Sequence, residues 1–96
     1  MIDPRSLPPG VQEFRQEIDR IDAEIIRLLS ARLTVVLHAA SAKRAAGVAF
    51  RDEEREAEIL ENAGERAIDF GLPKKNVLKI FAQILKISEK SQAPGD

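Results

Sequence analysis

Arg15, Arg32 and Lys43 are strung along one segment that carries an apolar residue at every third or fourth position. Two of these three cations fall inside the apolar stripe. A basic group on a buried face is costly unless an anion pairs with it. Acids at matching core positions are too few, so the pattern points to a small, multiply charged anion from outside the chain. Arg32 and Lys43 are eleven residues apart, which leaves them about 20° out of phase on a helix and about 16 Å apart along its axis. Two long side chains leaning toward each other can grip one small ligand across that gap. Arg15 stands 28 residues from Lys43, about 42 Å along the same rod, and cannot reach the ligand within one chain. An antiparallel second chain would bring its own Arg15 there.

Two further groups of polar residues could join them. Near the C-terminus the apolar stripe through Val77, Phe81 and Ile84 runs on into Ser88 and Gln92, one turn apart on the same face. Polar side chains where leucine is expected suggest hydrogen bonding to something buried. A helix end leaving the core gives the same pattern. Asp52, Arg55 and Glu56 precede another apolar stripe, and by themselves they read as a cap and a solvated first turn.

The elements that must position these residues follow from punctuation and period. No proline or glycine interrupts residues 11–46, and apolar residues recur at 14, 18, 21, 25, 28/29, 33, 36, 37 and 39/40. That alternation of threes and fours predicts a helix with a coiled-coil-like seam. At about 1.5 Å per residue it is roughly 50 Å long, too long to hide its seam within one small protomer, which argues for a dimer. Gly47 breaks the pattern and AGVAF reads as a loop. Asp52 is expected to cap a second helix over about 53–68, with Ile59, Leu60, Ala63 and Ala67 inward. Gly71 ends it, and Pro73 is expected at the first position of a third helix whose inner face is Val77, Leu78, Phe81, Ile84 and Leu85. The predicted fold class is all-α: three helices, long–short–short, in an intertwined helical homodimer. Residues 1–10, with three prolines, read as a mobile lead-in, 11–92 as the single domain and 93–96 as a frayed tail.

Composition narrows the function classes. The 96 residues are 44% hydrophobic and 32% charged, the profile of a soluble helical domain. Fifteen basic against sixteen acidic side chains leave a net charge of −1, so global charge makes no case for nucleic acid or membrane. There is no cysteine, and His38 is the one histidine. Thiolate metal sites are excluded, and a His-based metal site or triad has little to draw on. His38 reads as a surface or seam-flanking residue. No cofactor and no metal is expected. The lead-in lacks the apolar run of a signal peptide and no segment reads as membrane-spanning, so the expected location is cytoplasmic. Lys75, Lys79, Lys86 and Lys90 form a basic stripe on the outer face of the third helix; without interleaved aromatics it reads as a solvated face.

The run FRQEIDRIDAEIIRLLSARLTVVLHAASAKRAAG, the loop, and RDEEREAEILE after it resemble the small all-helical chorismate mutases over roughly residues 11–92. Arg15, Arg32 and Lys43 match that family's two arginines and lysine on the first helix. Asp52, Arg55 and Glu56 match its D-x-x-R-E motif, and Ser88 and Gln92 its S-x-x-x-Q motif. Ala39, small for a pocket wall, and Glu89, charged beside Ser88, depart from the usual pattern. The resemblance implies a concerted [3,3] rearrangement of chorismate to prephenate without cofactor. It places Arg15 of the partner chain and Arg32 on the two carboxylates, helped by Arg55 and Ser88. Lys43 and Gln92 then act on the ether oxygen, and Asp52 and Glu56 on the ring hydroxyl. Isochorismate-pyruvate lyase and 4-amino-4-deoxychorismate mutase share the scaffold, and a noncatalytic regulatory module is the reading from another class. A partner enzyme of the shikimate pathway is also compatible with the family.

Overall fold

Glycines and an aspartate set the ends of the three helices. The computed structural model describes residues 8–48 and 52–92, with Gln92 described by its backbone alone. The expected lead-in, apart from residues 8–10, the expected tail, and residues 49–51 of the loop lie outside the described residues. Helix α1 spans Val11–Ala45, α2 Glu53–Asp69 and α3 Lys74–Gln92, and among the described residues there is no strand. The long–short–short order expected from the sequence is what the chain adopts.

At the start of α1 the Gly10 carbonyl accepts the Phe14 amide at 3.1 Å. At its end the amide of Val48 donates to the Lys43 carbonyl at 2.8 Å and that of Gly47 to the Arg44 carbonyl at 3.1 Å, with Gly47 at φ +74°. This paired closure uses carbonyls that a helix end otherwise leaves unsatisfied, and it needs a residue that tolerates positive φ. The same closure ends α2, where Leu72 donates to the Ala67 carbonyl at 2.8 Å and Gly71, at φ +68°, to Ile68 at 3.1 Å. Asp52 caps α2: its side chain accepts the Arg55 amide at 3.0 Å and its carbonyl the Glu56 amide at 3.0 Å. Pro73 corrects the expectation in detail. It precedes α3, and its carbonyl accepts the Val77 amide at 3.1 Å, so it is the capping residue and not the first helical one. A residue with no amide hydrogen and φ held near −65° serves either place.

The chain divides into two compact units, Met1–Arg32 and Leu33–Asp96, and α1 contributes to both. In the first, α1 is largely uncovered: Phe14, Ile18, Ile21, Ile25 and Leu28 are each 51–64% exposed. The seam read from the sequence is therefore unhidden in a single chain, as its length predicted. On its polar side Arg27 donates to Glu24, 2.9 Å from Nε to Oε2, and that contact holds the Glu24 carboxyl below the usual carboxylate range.

In the second unit α2 and α3 pack as a hairpin. Ala63, Gly64 and Ala67 are buried, and Ile59, Leu60, Val77, Leu78, Phe81, Ile84 and Leu85 are half-buried. Small residues let the helices approach closely. A Cβ built on Gly64 would lie 2.9 Å from Cε of Lys74 and 3.6 Å from Leu78, so the lysine stem lies across the glycine. On α1, Ala40 is buried at 1% exposure, and Leu33, Val36 and Lys43 near it are half-buried.

One expectation about α1 is overturned. Among the described residues it is the helix long and apolar enough to cross a membrane, with an 18-residue window of mean hydropathy 1.4. The reason is its second half, residues 25–42, where apolar side chains extend around the helix and Arg27 and Arg32 are the charged residues. Length and composition are the same for the central helix of a helical assembly.

Candidate functional site

The polar residues singled out above sit at helix ends and along α1, and each unit holds part of the set. In Met1–Arg32, Arg15 is exposed and Arg32 half-buried. Among the described residues no ion pair involves Arg15, whereas Arg32 is already engaged by a neighbour. Arg15 therefore presents a free guanidinium beside the uncovered apolar side chains Phe14 and Ile18.

In Leu33–Asp96, the closure of α1 takes up the Lys43 carbonyl, which fixes the backbone at the point where the ammonium leaves the helix. Lys43 as a residue is half-buried, and among the described residues it has no carboxylate partner.

The hairpin gathers the next members. Gly64 lies against Lys74 and Leu78, so it stands level with about residue 76 of the antiparallel α3. Twelve residues back along α2 is Asp52, and twelve on from 76 is Ser88, which places the two at the same height. Glu56 is one turn in from Asp52 and falls on the face of Ala63 and Ala67; Ser88 falls on the face of Val77, Phe81 and Ile84. Asp52, Glu56 and Ser88 are thus brought to one end of the hairpin, and Gln92 ends α3 one turn beyond.

Their present contacts differ. Ser88 is 6% exposed, and its hydroxyl donates to the Ile84 carbonyl at 3.2 Å. That back-bond satisfies the hydroxyl proton, and Ser88 is engaged by a further neighbour. Glu56 is half-buried and engaged. One Asp52 oxygen is committed to the Arg55 amide. The Arg55 guanidinium lies on Glu58, one turn along α2, with both side chains exposed. It is turned about 100° from Glu56 around the helix, so it is not drawn into the same group. The Gln92 side chain lies outside the described residues. Among the described residues no group of three His, Asp or Glu side chains could hold a metal ion.

Among the described residues the chemistry on offer is anion binding by Arg and Lys beside hydrogen-bonding side chains. A family model, chorismate mutase type II, matches residues 14–93. The chain belongs to that family. The match spans all eight polar positions from Arg15 to Gln92. Searches of curated proteins and of solved structures returned no match.

Sequence reasoning passed over Gly64, whose contacts with Lys74 and Leu78 mark the register that levels Ser88 with Asp52. Its signal was a glycine inside a helix, beside the small inward residues Ala63 and Ala67.

Proposed function

We propose that the chain is a chorismate mutase, converting chorismate to prephenate in a cationic pocket completed by a second copy. The observation that carries this reading is the family match, because it contains the two arginines and the lysine of α1 together with Asp52, Glu56, Ser88 and Gln92. The uncovered apolar side of α1 supports the second copy: a row of half-exposed large side chains is the face a helical partner covers. On this reading α1 is the central helix of a two-chain assembly and does not span a membrane.

The reaction breaks the ether C–O bond and forms a C–C bond between the enolpyruvyl methylene and the ring in one cyclic shift of six electrons. No proton is gained or lost, so no acid, base or nucleophile is required. Two tasks remain for the protein: to hold the flexible dianion in its compact reactive shape and to stabilise negative charge on the departing ether oxygen. The partner's Arg15 and Arg32 hold the carboxylates, since a guanidinium offers two parallel donors. Arg55, once released from Glu58, and Ser88 assist. Lys43 and Gln92 donate to the ether oxygen, while Asp52 and Glu56 accept from the ring hydroxyl. A million-fold acceleration needs about 8 kcal/mol off the barrier. One preorganised donor is worth about 3–4 kcal/mol, so Lys43 and Gln92 with positioning suffice.

The test is direct. Purified protein is incubated with chorismate, loss of substrate absorbance is followed, and the product is identified. Prephenate supports the reading. Turnover of isochorismate or of 4-amino-4-deoxychorismate instead moves the assignment within the family, and no turnover of any of the three leaves a noncatalytic module.

A further inference from the structure

The outer side of the α2–α3 hairpin carries two charged stripes of opposite sign and mirrored spacing. On α2, Glu54, Glu61 and Glu65 are separated by seven and then four residues; on α3, Lys75, Lys79 and Lys86 are separated by four and then seven, and Lys90 continues the basic stripe one turn beyond the level of the acids. Each set of three lies within about 40° around its helix. The acids stand opposite the buried Ala63, and the lysines opposite the half-buried Val77. The helices meet through Gly64 and Leu78, each about 100° from those positions, and their antiparallel sense turns both stripes to one side of the hairpin. All six side chains are exposed, and among the described residues none has an ion-pair partner.

The register does more than match spans. With Gly64 level with about residue 76, Glu65 stands at the height of Lys75, Glu61 of Lys79 and Glu54 of Lys86. A face that is acidic along one edge and basic along the other, with equal heights paired, is complementary to itself. A two-fold axis running along the hairpin between the stripes sets the acids of one copy against the lysines of the other, and the reverse, at all three heights. A two-fold axis across the hairpin would set like charges together, so one orientation is selected.

The geometry points to this face as a second contact between copies of the chain, held by six Glu–Lys pairs and separate from the apolar side of α1. Exposed pairs are individually weak, so the association is salt-sensitive and adds to whatever assembly the apolar side makes. Its occupant is a copy of the same chain because the two stripes match each other in sign, spacing and height; a polyanion would use the lysines and be repelled by the acids beside them.

Sedimentation velocity of the full chain over a range of concentrations, in about 10 mM and about 1 M salt, tests this. Screening lengths there are about 30 Å and about 3 Å. The expected result is an assembly mass at low salt at least twice that at high salt. Because the readout is a ratio, it stands whether the high-salt species is one chain or two, and it is independent of catalysis. Lys79→Glu with Lys86→Glu should hold the high-salt mass at every concentration, as should Glu54→Lys with Glu61→Lys. An equimolar mixture of these two variants, in which every reversed charge again meets its opposite at the same height, should regain the low-salt mass. Equal masses at both salts, or a mixture that does not regain association, overturns the proposal. So does a chain that stays unassociated at low salt yet binds single-stranded DNA or anionic vesicles through the lysines.

Discussion

Arg15→Ala and Lys43→Ala test the shared pocket most sharply when the two variants are mixed. Each alone removes one cation from every site and should lower turnover by at least about 10²-fold, the cost of losing a well-placed donor. In a mixed pair of chains one site lacks both cations and the other keeps both. Random reassortment of equal amounts makes half of the pairs mixed, so about one quarter of all sites are intact. Activity should rise from about 1% of the unsubstituted protein to about 25% on mixing.

The structure also bears on whether exchange will occur. Phe14, Ile18, Ile21, Ile25 and Leu28 are 51–64% exposed, so covering them contributes about 1 kcal/mol each, and about 10 kcal/mol over a symmetric pair. Association costs roughly 4–15 kcal/mol. These side chains alone leave little surplus, and the chains are expected to exchange on incubation. Native mass spectrometry of a tagged and an untagged variant confirms exchange, and loss of chorismate absorbance gives the rate. Exchange without recovery refutes the reasoning, because a site built within one chain gains nothing from mixing.

Other consequences are simpler to measure. Lys43→Ala alone should lower kcat by at least about 10²-fold with the assembly mass unchanged, since only the ammonium is lost; near-normal turnover removes Lys43 from the mechanism. Gln92→Glu should gain activity as pH falls, because only a protonated carboxyl can donate to the ether oxygen, and a flat profile of kcat/KM against pH rejects that contact. Gly64→Ala should raise stability by up to about 1 kcal/mol, the helix preference of alanine over glycine. The added methyl meets chiefly the flexible end of Lys74, which can move aside. A lower Tm would show that the lysine stem is held in place.

Much of this architecture was legible in the sequence because the signals were strong and local. A proline-free run with apolar steps of three and four fixed α1, and Gly47, Asp52 and Gly71 act where their backbone chemistry said they would. Ser88 was expected on the inner stripe of α3 and is buried there. What was less legible depends on side-chain competition and on averages. Arg55 matches the motif, but its guanidinium is held by Glu58, a neighbour one turn along, as local ion pairs on an exposed helix face allow. The membrane-length hydropathy of α1 is not visible in its seam, because Ile26, Ala31, Val35 and Ala42 lie off it and raise the mean over residues 25–42. The levels of Ser88 and Asp52 depend on how closely two helices approach at Gly64, which no period in the sequence encodes.

Asp52 shows how the helix ends and the chemistry share groups. Its Oδ1 accepts the Arg55 amide, so the carboxylate holds the first turn of α2 and keeps its second oxygen for another partner, at the end of the hairpin that also carries Glu56 and Ser88. Removing it conflates two effects, and a pair of substitutions separates them. Asp52→Ala loses the cap, at a cost of about 1 kcal/mol, which lowers Tm by about 4–8 °C in a domain of this size. Asp52→Asn keeps an oxygen for the Arg55 amide and should hold Tm within about 1–2 °C, since asparagine caps about as well as aspartate. It replaces the second oxygen, in one orientation, with a donor. If that oxygen accepts from the ring hydroxyl, Asp52→Asn should raise KM or lower kcat while stability is kept. Should Asp52→Asn match the unsubstituted protein in both kinetics and Tm, Asp52 acts on α2 alone and the ring hydroxyl is left to Glu56.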